Sequence, residues 1–72
     1  MFRITRQNGN YAILDTPYEV YEYIVKVIFN DDLRTCSYCS HHEAEEAQCW
    51  CEMADEGEEY DGGEFIIECV WY

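Results

Sequence analysis

The dipeptide Asn8-Gly9, set between two short runs in which apolar and polar residues alternate, commits the start of this chain to a β-hairpin. A two-residue hairpin turn of the primed type needs positive φ at its centre, and asparagine and glycine accept that at least cost. Phe2, Ile4 and Arg6 lead into the turn and Tyr11-Ala12-Ile13-Leu14 returns from it. A turn of two residues pairs Ile4 with Ile13 and Arg6 with Tyr11. By the period-two rule that places Phe2, Ile4, Tyr11 and Ile13 on one buried face.

Thr16-Pro17-Tyr18-Glu19 then starts a helix. Thr16 can cap, Pro17 suits the first helical position because its missing N–H is not needed there, and Glu19 closes a capping box. The helix is expected to run to about Asn30, with Val20, Ile24, Val27 and Ile28 as its core-facing stripe. Its interior is rich in β-branched residues, which lowers helix propensity and leaves a strand as the alternative. Asp31-Asp32 marks the exit. Ser40-His41-His42-Glu43 repeats the capping pattern and predicts a second helix over about residues 41–54. Ala44, Ala47, Cys51 and Ala54 would face inward, and Glu45, Gln48, Glu52 and Asp55 outward. Small inward residues let such a helix sit close to a sheet.

Residues 55–63 read as an acidic loop carrying glycines, and residues 64–72 as a closing strand. Phe65, Ile67, Cys69 and Trp71 would share one face, Ile66 and Val70 the other, so the strand should be central or covered. With no internal repeat and no linker, residues 1–72 form one domain. The expectation is a two-layer α+β fold in which a three-stranded antiparallel sheet carries two helices in the order ββααβ. At this length a core buries only ~60% of the surface that the unfolded chain exposes, so a staple is expected.

The formal charge of −12 is unevenly placed: Arg3, Arg6, Lys26 and Arg34 are the only basic residues, and eleven carboxylates fall between Glu43 and Glu68. Such a field repels nucleic acid and anionic membranes and speeds encounter with a basic surface. The plainer alternative is a solubilising face. An aromatic fraction of 17% argues against disorder. No stretch offers the roughly twenty apolar residues of a membrane span, and Met1-Phe2-Arg3-Ile4 lacks the layout of a secretory signal, so a cytosolic location is expected. A reducing cytosol and an odd count of five cysteines both argue against a disulfide framework.

Cys36-x-x-Cys39 is followed by His41, His42, Cys49 and Cys51. Zinc takes four thiolate or imidazole donors in a tetrahedron, and a Cys-x-x-Cys knuckle presents two of them. Cys36 and Cys39 are the credible half of a candidate Zn²⁺ site, with His42, Cys49 and Cys51 as the pool for the rest and Cys69 as a further option. On one continuous helix His42 and Cys49 face the same way but stand two turns, ~10.5 Å, apart, too far to share an ion with the knuckle. The alternative is that these cysteines are small buried hydrophobes. A redox dithiol would need a cysteine at a helix start in a βαβ setting, and a nucleophilic cysteine would need a pocket free of the neighbouring Glu43, Glu45 and Glu46. No catalytic pattern is found, and an enzyme is not expected.

Residues 55–64 hold carboxylates enough for calcium without the spacing of an EF-hand. Acids set along a helix and a loop can instead stand in for phosphates and occupy a cleft that holds nucleic acid. Glu45, Glu46, Glu52, Asp55, Glu56, Glu58, Glu59 and Asp61 are the candidates, with Tyr60 placed to stack on a partner's arginine. The partner would be a basic protein surface on a nuclease or another nucleic-acid-binding complex, not nucleic acid itself and not a membrane.

In length, in the one-sided run from Glu43 to Glu68 and in the lack of a catalytic pattern, the chain resembles the small acidic inhibitors by which phages and mobile elements block host defence, anti-CRISPR proteins above all. The Cys36 to Cys51 cluster makes it similar to the zinc-containing minority of them. The resemblance is one of type, over the whole chain. It implies inhibition of an RNA-guided nuclease at a basic channel or recognition lobe, in the cytosol of the host cell, and transfers no functional residues. A zinc-stabilised structural or adaptor module, or an antitoxin-like partner of a basic protein, is the alternative. If zinc staples the fold, changing Cys36 and Cys39 together to Ser unfolds the domain and native mass spectrometry finds one bound metal; a metal-free native mass refutes the staple.

Overall fold

A computed structural model describes residues 1–31, 37–54 and 57–70. Strands β1 (Phe2–Arg6), β2 (Tyr11–Leu14), β3 (Glu59–Asp61) and β4 (Phe65–Cys69) form one antiparallel sheet in the order β2-β1-β4-β3. The sheet therefore has four strands where the sequence suggested three. The extra one, β3, lies within the stretch read as a loop. Glu59-Tyr60-Asp61 turns Tyr60 inward and both carboxylates outward, and Gly62 N–H donates to the Phe65 carbonyl at 2.9 Å to close a tight hairpin into β4. The closing strand is central, as its apolar residues on both faces imply: it pairs with β1 on one side and β3 on the other.

The first hairpin forms, but one residue out of the expected register. Gly9 N–H donates to the Arg6 carbonyl at 3.0 Å and Arg6 N–H to the Asn10 carbonyl at 2.8 Å, so the loop has three residues, Gln7, Asn8 and Gly9. Gly9 carries the left-handed conformation, at φ +91°. That is the arrangement of a turn closed by a bulged glycine, and Asn8 serves it by accepting from Asn10 N–H through its side chain at 2.9 Å. One extra loop residue slips the pairing: Ile4 faces Ala12, and Arg3 faces Ile13. A slip of one turns every side chain of β2 over. Ala12 and Leu14 consequently pack on the core, while Tyr11 is 63% exposed and Ile13 looks outward.

Helix α1 begins at Pro17 as the sequence indicates, with Thr16 Oγ1 accepting from Glu19 N–H at 3.2 Å. The Glu19 carboxylate reaches back to Asp15 N–H at 2.9 Å, closing the box one residue early. The segment is helical to Asp31, so the strand alternative falls, but it is not uniform: Pro17–Tyr23 is α-helical, Ile24–Ile28 is a π-helix, and Phe29–Asp31 ends it. Phe29 N–H donates to the Ile24 carbonyl, an i→i+5 bond. In an unbroken α-helix Phe29 would stand roughly 180° from Val20, on the solvent side. The wider turn brings it round to the core, where it is buried with Val20, Ile24 and Ile28; Val27, expected there, is half-buried. Helix α2 spans Ser37–Met53, so Ser40-His41-His42-Glu43 lies inside it rather than at its start. A capping pattern permits a start without compelling one, and a helix that packs along α1 extends through it.

Both helices cover the same face of the sheet. The core joins Ile4, Phe65 and Ile67 of the sheet to the α1 residues above and to Ala44, Ala47 and Cys51 of α2. Ala54, also expected inward, is half-buried at the helix end. No described helix covers the other sheet face, which carries Ile13, Arg3, Glu68 and Glu59 in one cross-strand row and Tyr11, Thr5, Ile66 and Asp61 in the next. No helix among the described residues is long and apolar enough to cross a membrane.

Gly62 is where the β3–β4 hairpin has least room: a Cβ there would lie 2.7 Å from the Phe65 ring. Phe65 is buried and cannot swing away. Gly62→Ala is expected to cost about 1–3 kcal/mol, the usual range for overpacking, read from the urea midpoint at constant m-value. An unchanged midpoint would show that the ring is free to move.

Candidate protein-binding face on α2 and β3

The candidate metal ligands do not gather among the described residues. Cys36 lies outside them, and Cys39 is in the first turn of α2 with its side chain outside the described ones. His42 and Cys49 are exposed, whereas Cys51 is buried in the core. Cys49 and Cys51, two positions apart on one helix, point about 200° from each other and cannot share an ion. No group of three or more His, Cys, Asp or Glu among the described residues is placed to hold a metal. Of the neighbouring histidines, His41 shares a 2.7 Å hydrogen bond between its Nδ1 and Tyr21 Oη, linking α2 to α1. Burial pushes the Cys51 thiol up to about 12, helped by nearby Cys69 and Glu52.

The acidic residues fare differently. Tyr60 is the joint between α2 and β3: its ring lies 5.7 Å from that of Trp50 on the helix and 6.3 Å from that of Phe65 on β4. Its phenol is held above the usual tyrosine range, first by burial and then by the negative charges of Glu46, Glu43 and Asp61. Carboxylates of both the helix and the strand thus act on its phenol. Around them Glu45, Glu46 and Glu52 are exposed on α2, and Glu58, Glu59 and Asp61 on or beside β3. Asp55 and Glu56 lie outside the described residues. Neither α2 nor β3 contains a lysine or arginine, and two of the chain's cations pair elsewhere: Arg3 with Glu68 at 2.9 Å on the sheet face away from the helices, Lys26 with Glu22 at 3.0 Å on α1.

The helix divides its acids. At 100° per residue Glu43, Glu46 and Trp50 share the flank beside β3, while Glu45 and Glu52 stand roughly 100–120° beyond Glu46 and up to about 180° from Glu43. Cys49 and Met53 lie between the two sets, with Cys49 Sγ 4.0 Å from Met53 Sδ. Two members of this face, Glu43 and Trp50, were missed from sequence. Their spacing to Glu46, three before and four after, is the signal that could have found them. Compared with protein-family models, with curated proteins and with solved structures, the chain matches none.

The thiols supply two expected outcomes. Exposed Cys49 should be alkylated by iodoacetamide at pH 8 while Cys51 reacts only on unfolding; equal labelling of both by mass spectrometry would contradict its burial. The unfolded chain releases the Cys51 proton near 9.0, whereas the fold holds it to about 12. The folded state binds more protons in that window, so stability is intact below pH 9 and falls as pH rises toward 12, with Tyr60 adding to the loss in the same direction. Urea midpoints measured from pH 8 to 11 should decline, and less steeply in Cys51→Ala.

Proposed function

We propose that this chain is a protein-binding inhibitor that presents the α2–β3 face to a basic surface on a nucleic-acid-handling complex. Binding rather than catalysis is its activity. The observation that carries this reading is the seating of Tyr60 against Trp50, which sets the exposed acids of β3, Glu59 and Asp61, beside the helix that carries Glu45, Glu46 and Glu52. A solubilising surface needs no such placement, since dispersed charges keep a protein in solution equally well.

The physics of the interaction is that of a displaced polyanion. A groove lined with Lys and Arg holds counterions or nucleic acid, and a fixed set of carboxylates competes for the same positions. Here the acids sit on a helix and a paired strand rather than on a free tail, so little ordering entropy is lost on binding. Tyr60, backed by Phe65, and Trp50 beside it add aromatic surface next to the charge, where arginine stacks well. A host-defence complex such as an RNA-guided nuclease, met in the host cytosol, is the target class proposed. A zinc ion at Cys36 and Cys39 is compatible with this role as a staple of the fold that displays the acids.

The test uses the immobilised chain and a lysate of the host cell. A basic nucleic-acid-binding protein should be retained at low salt, elute as salt is raised, and be displaced by added nucleic acid. The variant Glu46→Gln, Glu58→Gln, Glu59→Gln, Asp61→Asn removes four charges worth about 0.5 kcal/mol each at an exposed site, roughly thirtyfold in affinity. Retention by that variant equal to the parent, with its circular dichroism unchanged, would refute the acidic-face mechanism.

A further inference from the structure

The outward side of α2 is not uniformly acidic. Met53 is 76% exposed, Cys49 is exposed one turn before it, and their sulfurs are 4.0 Å apart. They form a short apolar strip along the helix axis, opposite the buried Ala44, Ala47 and Cys51. Carboxylates flank it on both sides, Glu46 within about 40° of the strip's centre and Glu45 within about 60° at 100° per residue. Half-buried Trp50 and Tyr60 lie beyond Glu46, toward β3.

Resting on the acidic-face reading, we infer that the partner's contact element is a basic amphipathic helix whose apolar stripe lies on Cys49 and Met53 and whose Lys and Arg flanks meet Glu45 and Glu46. Charge complementarity selects the flanks. The strip selects the centre: a groove built only for phosphates is polar throughout and would leave two sulfur side chains against desolvated cations, whereas an apolar stripe at i, i+3 and i+4 removes them from water together with its own side chains. A ridge running straight along one helix is the shape a second helix packs beside. Methionine, flexible and polarisable, adapts to the side chains that stripe carries.

The experiment titrates the full chain, at physiological salt, with three labelled synthetic peptides. One is an 18-residue helix of Leu and Lys in amphipathic order, the second the same composition scrambled to destroy the stripe, the third an oligolysine of equal charge. Fluorescence anisotropy is expected to show the amphipathic peptide binding at least tenfold more tightly than its scrambled isomer. The double variant Cys49→Ser, Met53→Gln should lose most of that difference while its affinity for oligolysine is unchanged. If all three peptides bind alike, charge alone is recognised: this inference falls and the acidic-face reading stands. Tight amphipathic binding unaffected by the double variant also overturns it, since contact is then made elsewhere. If no peptide binds even at low salt, both readings fall.

Discussion

Phe65 is the residue on which the separate parts of this fold depend. Its ring sits so close to Gly62 that only glycine fits there, lies edge-on to Phe29 with centroids 6.4 Å apart, and backs Tyr60. One side chain therefore joins the β3–β4 hairpin, the end of α1 and the aromatic pair that ties β3 to α2. The π-helical stretch Ile24–Ile28 belongs to the same arrangement, because without its wider turn Phe29 would face solvent and Phe65 would lose that neighbour. A helix gives up regular hydrogen bonding only where something is gained, and here the gain is a large buried aromatic contact.

The charge of −12 opposes compaction, and the fold answers by sorting it. Helix α1 and the first hairpin carry the paired cations, while the carboxylates of α2 and β3 point away from the core. The two sheet edges differ accordingly. The β3 edge is short and bears Glu59 and Asp61, features that discourage pairing with a stray strand; the β2 edge, Tyr11–Leu14, has no charged residue. Like charge at this end disfavours pairing with another copy of the chain. On the proposed reading, the apolar strip at Cys49 and Met53 would set which basic partner is held, since charge steers encounter and apolar contact decides what stays bound.

Much of this was legible in the residues. Thr16, Pro17 and Glu19 announce α1 because capping is a local matter of a few hydrogen bonds. Ala44, Ala47 and Cys51 announce the inward side of α2, and the apolar residues on both faces of β4 announce its central place. Where reading failed, the deciding contacts were distant in sequence. Asn8-Gly9 allows either a two- or a three-residue loop, and the choice was made by Ala12 and Leu14 finding the core. Glu59-Tyr60-Asp61 resembles loop on composition, and becomes strand because β4 offers it a free edge and Trp50 offers Tyr60 a neighbour.

By itself, then, the order of residues determined which segments are helical, where α1 begins, which residues of α2 and β4 turn inward, and that an excess of negative charge would lie in the second half. These follow from periodicity, capping and composition, all of which act over a few residues. The register of the first hairpin, the fourth strand, the π-helical turn and the seating of Tyr60 between Trp50 and Phe65 were decided only in three dimensions. Each depends on a choice between locally similar states, and such a choice is settled by the surface that packing against a remote segment buries.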